Sequence, residues 1–254
     1  METMIFSRKD GRRPEELRPV RFDPEFNRQA EGAVLVEAGR TCVLCTASVE
    51  EKVPSFLAGT SKGWVSAEYG MLPRATATRT QREAAKGKPS GRTMEIQRLI
   101  GRSLRAVVNL EMLGPRTIWI DCDVLQADGG TRTASITGAF LAVAIACHRL
   151  CAQGVIARMP VVSLVAATSV GLIGNRILLD LDYAEDSTAD VDMNVVMTGS
   201  GELVEVQGTG ENRTFRVERM MEMVQVARQG IFSLHDMQRG LLQKLGIELS
   251  LPAA

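Results

Sequence analysis

Residues 125 to 140, LQADGGTRTASITGAF, have the makings of an anion seat. Gly129 and Gly130 let the backbone approach a ligand closely, and Thr131 and Thr133 stand where a run of small apolar residues begins a helix. A helix start offers unpaired N–H groups and partial positive charge, and Arg132 adds a planar fork that matches the oxygens of a phosphate. The same residues also suit a plain strand-to-helix turn with a threonine cap and a surface arginine. A second segment, GKPSGRTMEIQ at 87–97, puts Arg92 and Thr93 at another loop-to-helix junction. It is not a nucleotide-binding P-loop, because Gly87 and Gly91 enclose three residues rather than four and Arg rather than Lys follows. Two seats, each with one arginine, can converge on one phosphate.

The counterpart is acidic. From Asp180 to Glu211 the chain carries nine Asp or Glu and no Lys or Arg. In LLDLDYAEDSTADVDMNV, Asp180 and Asp182 are expected on one strand face and Asp190 and Asp192 on another, with Asp186 in the loop between. Such carboxylates suit Mg²⁺, which takes oxygen ligands and is often shared with substrate phosphates. One of them could instead serve as a general acid, or the whole segment could be a charged, blunted sheet edge. Phosphate seats beside carboxylates would make phosphoryl or nucleotidyl transfer chemistry.

The net charge of zero hides a polarised chain. Between Arg74 and Arg105 there are nine Lys or Arg against Glu83 and Glu95. That stretch could meet a polyanion, or it could simply be a solvated face. The longest apolar stretches, 139–146 and 159–170, read as too short or too interrupted to span a bilayer. The charged start METMIFSRKDGRRPEELRP lacks the apolar segment of a signal peptide. A cytoplasmic location without membrane attachment is expected. Cys42 and Cys45 have the spacing of a redox or zinc pair but sit in a strand-like run, and Cys147, His148 and Cys151 lie on a helix without a plausible fourth ligand. Reduced core thiols are the expected state.

These side chains need a scaffold, and 254 residues with 45% hydrophobic content can bury a large core. AVLVEAG, TCVLCTASV, GWVSAEYGM and TIWIDCDVLQ read as strands, the last feeding the DGGTRT motif. Residues 77–93 begin helix-capable and end in a Gly/Pro/Ser loop. MEIQRLIGRSLRAVVNLEML spaces Ile96, Leu99, Ile100, Leu104, Val107 and Val108 as an amphipathic helix, with Arg98, Arg102 and Arg105 in a row on its other face. SITGAFLAVAIACHRLCA is apolar all round and expected to be buried. VVSLVAATSVGL, RILLDLDY, DVDMNVVMT and LVEVQGT are further strands, and two helices close the chain. The stretch 217–229, with Met220, Met221 and Met223, is expected to be core. Mixed α+β in two similar β/α halves is the expected fold class.

Several long segments, in order, resemble the ribonuclease PH family: EGAVLVEAGRTCVLCTASVEEKVP, GWVSAEYGMLPRATATRTQREAAKGKPSGRTMEIQRLIGRSLRAVV, DCDVLQADGGTRTASITGA and LDYAEDSTADVDMNVVMT. The resemblance runs from about Arg18 to about Gln207, and more weakly to the end. It implies a ribosomal protein S5 domain 2-like fold and a phosphate-dependent 3′ to 5′ exoribonuclease, a tRNA nucleotidyltransferase. Such an enzyme trims tRNA precursors past their CCA end, releases nucleoside diphosphates and runs in reverse from them, with ribosomal RNA processing as a second role. Inorganic phosphate is then the co-substrate, held by Arg92, Gly130, Thr131 and Arg132. Asp186 and Asp192 match the catalytic acidic positions, which would coordinate Mg²⁺ or protonate the departing 3′ oxygen. Arg74, Arg79 and Arg82 match RNA-backbone arginines.

The resemblance further implies a homohexameric ring, a trimer of dimers, related to polynucleotide phosphorylase and exosome ring subunits. Residues 17–254 would form a single domain behind a flexible tail at 1–16. Pro89 and Ser90 depart from the Gln-Gly expected before Gly91 but remove no ligand. Two rivals remain: a catalytically silent RNA-binding ring subunit, and a metal-dependent exonuclease that uses water and releases monophosphates.

Overall fold

A computed structural model of the chain describes residues 8–24 and 26–250, Lys86 by its backbone alone. The elements in order are β1 (Val20–Asp23), β2 (Gly32–Ala38), β3 (Thr41–Glu50), β4 (Trp64–Met71), α1 (Gly91–Arg105), α2 (Leu110–Leu113), β5 (Thr117–Gln126) and α3 (Thr131–Ala152). The second half holds β6 (Val165–Ile173), β7 (Arg176–Leu179), α4 (Tyr183–Asp186), β8 (Val191–Thr198), β9 (Leu203–Gly210) and α5 (Val217–Lys244). One sheet runs β1-β2-β3-β5-β4, antiparallel except for the β4–β5 pair, and the other runs β7-β6-β8-β9, antiparallel throughout.

Strand alternation explains the layers. On β2, β3 and β5 the apolar residues Val34, Val36, Val43, Cys45, Ile118, Ile120 and Cys122 face one core, which α1 and α3 fill from the other side. Seventeen of the 22 residues of α3 are buried, because β2 and β3 lie on one side of it and β6 on the other. By length and composition α3 could cross a membrane, yet 83% of its most apolar window is covered by the protein's own atoms. On β6, Val165 and Ala167 join that first core, while Ala166, Val170 and Leu172 face α5 with Val191, Met193, Val195 and Met197 of β8. The order of layers is sheet, helices, sheet, helix. The expected mixed α+β class with a strand-then-helix plan in each half is the observed one.

The structure differs from expectation at both ends of the chain and between α1 and α2. A single 28-residue α5 ends the described chain where two helices were expected. Gly230 does not break it, since its bare Cα is where the Leu179 side chain comes closest, and a Cβ there would sit 2.8 Å from Leu179 Cδ2. On this helix Met223 is buried, but Met221 is 54% exposed and Val217 72% exposed, so only part of 217–229 is core. The expected long helix at 94–113 is divided: α1 stops at Arg105, and the Asn109 side chain accepts from the N–H groups of Glu111 and Met112 to start α2. Finally, the expected flexible tail at 1–16 includes residues with fixed partners. Residues 1–7 lie outside the described ones, but Arg8 is 3% exposed and grips Glu185 through two bonds of 2.7 and 2.6 Å.

Candidate active site

The DGGTRT loop leaves β5 and enters α3 over a buried ion pair. Arg18 donates to both oxygens of Asp180, at 3.0 and 2.7 Å, and its third nitrogen donates to the Asp128 carbonyl at 2.6 Å. Thr41 adds a second prop, donating from Oγ1 to the Gly129 carbonyl at 2.7 Å and accepting from the Asp128 N–H at 2.9 Å. The chain turns here through positive φ, 78° at Gly129 and 65° at Gly130. A Cβ on Gly129 would lie 2.5 Å from the Leu181 carbonyl oxygen, so only glycine lets the two backbones pass. Gly130 occupies the N-cap of α3 and has no side chain to satisfy the first-turn N–H groups. Tyr69, buried on β4, shares a hydrogen bond of 2.8 Å with the Thr131 hydroxyl and fixes its direction. Burial pushes the Tyr69 phenol upward, so it stays a neutral hydrogen-bonding group.

Arg132, in the first turn of α3, reaches across to β9 and donates to Gln207 Oε1 at 2.9 Å. Arg92 projects from the first turn of α1, whose start is fixed by Ser90 accepting from the Thr93 N–H at 3.2 Å. The acidic side comes from α4 and β8. The Asp182 carboxylate and Glu185 cap α4 reciprocally, and Asp186 ends it. On β8 the residues facing α5 are Val191, Met193 and Val195, so Asp192 and Asn194 face the opposite way.

Arg74, Arg92, Gly130, Thr131, Arg132, Asp186 and Asp192 meet in the wall of one cleft of about 1000 Å³. Arg79 and Arg82 are exposed on the connecting segment and are not in this wall. The expected pairings on strand faces, Asp180 with Asp182 and Asp190 with Asp192, do not form, and Asp186 ends α4 instead of lying in a loop. β7 ends at Leu179, Asp180 turns at φ 52° into its ion pair with Arg18, Asp182 caps α4, and Asp190 accepts from the Gly174 N–H at 2.8 Å.

The carboxyls of Asp186 and Asp192 are both raised above the usual range. Burial is the main cause for each; Arg92 and Arg132 oppose it at Asp186, while Asp186 and Glu211 add to it at Asp192. Asp192 Oδ1 is buried without a hydrogen-bond partner. No cluster of three or more metal-ligating side chains forms among the described residues. A cation that takes one or two carboxylates and fills the rest of its shell with water and phosphate oxygens still fits the pair. Tyr69 and Arg18 escape the reading of the sequence, which makes Asp180 a candidate ligand on a strand face rather than the partner of Arg18. Tyr69 and Thr131 lie 62 positions apart and Arg18 and Asp180 lie 162 apart, and no local pattern marks either pairing.

Comparison with known proteins agrees with this geometry. Residues 16–148 match the model of the 3′ exoribonuclease family, domain 1, and residues 163–230 match domain 2. Ribonuclease PH of Bacillus subtilis is 61% identical over 236 residues, 92% of this chain and 96% of that protein, and the Bacillus cereus protein is 58% identical over the same shares. Among solved structures, a chain of the Archaeoglobus fulgidus exosome with RNA bound to the active site superposes with a TM-score of 0.77 at 22% identity, covering 91% of this chain and 92% of that one. A chain of an archaeal exosome core gives 0.74 at 20% identity, with 92% and 91% covered. At that identity the superpositions speak for the fold, and they agree with the ribosomal protein S5 domain 2-like architecture. The sequence matches carry the rest: this chain belongs to the 3′ exoribonuclease family, with the ribonuclease PH proteins.

Proposed function

We propose that the cleft carries out phosphate-dependent 3′ to 5′ trimming of RNA, with tRNA precursors extended past CCA as substrates. The observation that carries this reading is the meeting of two arginines, an uncapped helix start and two carboxylates in one cleft. Arg92 and Arg132, with the Gly130–Thr131 turn, hold inorganic phosphate. A phosphate oxygen bonds to the phosphorus of the last internucleotide linkage, and the bond from that phosphorus to the penultimate 3′ oxygen breaks. The terminal residue leaves as a nucleoside diphosphate, and the freed 3′ oxygen takes up a proton. The reverse reaction extends the RNA from nucleoside diphosphates.

Asp186 and Asp192 would hold Mg²⁺, and the unpartnered Asp192 oxygen and the mutual repulsion of the pair support that assignment. When bound, the ion supplies positive charge to the phosphate oxygens as negative charge develops on them. The raised proton affinity of the same carboxyls also equips them to return the proton to the 3′ oxygen. Arg74 lines the cleft and, with the exposed Arg79 and Arg82, would hold the RNA backbone. Only 4% of the residues are aromatic, so grip on phosphates and 2′ hydroxyls outweighs base stacking. Residues 17–254, with the segment from Arg8 docked on them through Glu185 and Asp180, act as one unit, assembled as a hexameric ring in the cytoplasm; the α3 helix packed between the two sheets supports the first part of that statement.

Asp192→Asn tests the acidic half. Turnover in the presence of Mg²⁺ is expected to fall at least about a hundredfold while RNA binding, followed by filter retention, stays within about twofold. Parallel loss of both would reduce Asp192 to a structural residue.

A further inference from the structure

Arg132 is already engaged, by two groups of different charge. Its Nη1 donates to the neutral amide oxygen of Gln207 on β9 at 2.9 Å and lies 3.6 Å from Oε1 of Glu95 on α1. The Gln207 amide nitrogen donates in turn to that same Glu95 oxygen at 3.2 Å and to Glu205 Oε1 at 3.0 Å, and Glu205 is paired with Arg102. Three elements, α1, α3 and β9, are therefore tied together at one guanidinium. Arg132 is 16% exposed and Glu95 is 54% exposed, so the carboxylate sits at the wet edge and the arginine further in.

The two partners have opposite consequences for an incoming anion. A neutral carbonyl orients the guanidinium fork and leaves its charge intact. A carboxylate presents the same kind of acceptor as a phosphate oxygen and neutralises the charge that would attract it. We infer that Glu95 is a built-in competitor for phosphate at Arg132 and that Gln207 is the positioning residue holding Arg132 toward the seat, so that together they set the enzyme's phosphate affinity. The inference rests on the reading that Arg132 holds phosphate. Glu95 keeps the seat weaker than its two arginines would make it, and it offers the guanidinium an alternative partner as the diphosphate product leaves.

Steady-state KM values for phosphate and for RNA, measured on the full-length protein, test this with three variants. Glu95→Gln keeps the shape and the link to Gln207 but removes the charge. It is expected to lower the KM for phosphate about two- to fivefold, the range of a half-exposed ion pair. Gln207→Leu is expected to raise it about fivefold through loss of the orienting bond, with the KM for RNA in both variants within about twofold. Damage to the fold does not tighten a substrate constant, so the opposite signs separate positioning from destabilisation. Arg132→Ala is the control and should raise the phosphate constant far more than the RNA constant. If that holds and Glu95→Gln leaves the phosphate constant unchanged or higher, the competitor role is overturned; an unchanged constant in Gln207→Leu overturns the positioning role. If Arg132→Ala affects phosphate and RNA equally, the assignment of Arg132 to the phosphate seat is wrong, and this inference falls with it.

Discussion

Asp192 is brought to the cleft by the two-residue period of β8, and the same placement makes its charge costly. Its carboxyl is raised above the ordinary value by burial and by Asp186 and Glu211, so the folded protein binds the proton more tightly than the unfolded chain does. Ionisation therefore destabilises the fold above the carboxylate range, and the penalty disappears as pH falls below the unfolded value. In chelator at pH 7, Asp192→Asn should melt at a higher temperature than the unaltered protein, and the gap should close as pH drops toward the Asp range. A gap that widens on acidification would mean that the charge is stabilised rather than penalised. Residues of this kind were legible in the sequence chiefly through the family resemblance, because glycine-threonine-arginine also suits a plain capped turn and a run of acids also suits a blunted sheet edge. Those that brace them were not: Asp180 looks like one more member of the acidic run, and only its positive φ and its pairing with Arg18 set it apart.

At the scale of elements, the site is a loop and a one-turn helix held by arginines from the start of the chain. Arg8 fastens Glu185, the neighbour of Asp186, and Arg18 supports the DGGTRT loop from below through Asp180 and the Asp128 carbonyl. Arg18→Met leaves the Asp180 carboxylate buried without its partner, a change that costs about 3–5 kcal/mol. Denaturant unfolding should show that loss, with activity falling alongside it; a loss below about 1 kcal/mol would mean that the Arg12 guanidinium, 3.8 Å from Asp180, takes over. Most strands were readable from alternation because each has one face on a core. The end of β7 was not, since LLDLD continues the alternating pattern through the point where Asp180 turns the backbone away. Likewise α5 runs on through Gly230 because tertiary contact with Leu179, invisible in local propensity, outweighs the intrinsic cost of a helical glycine.

The whole molecule consists of two sheets sharing α3, with the cleft at the junction of the two halves. Both family models are needed to assemble it: the arginines fall in residues 16–148 and the carboxylates in 163–230. Val217, Met221 and Leu203 are each more than half exposed, and a ring of copies would give such surfaces partners. Sedimentation at micromolar concentration should give a hexamer, and a lone monomer would overturn the proposed ring. The most direct test of the account concerns the product. A tRNA bearing a few extra 3′ nucleotides is incubated with the protein and Mg²⁺, with and without inorganic phosphate, and the released nucleotide is identified. Nucleoside diphosphate, formed only when phosphate is present, is the predicted result. Nucleoside monophosphate formed without phosphate would contradict it and make the enzyme a hydrolase, and no product at all would leave an RNA-binding subunit without turnover.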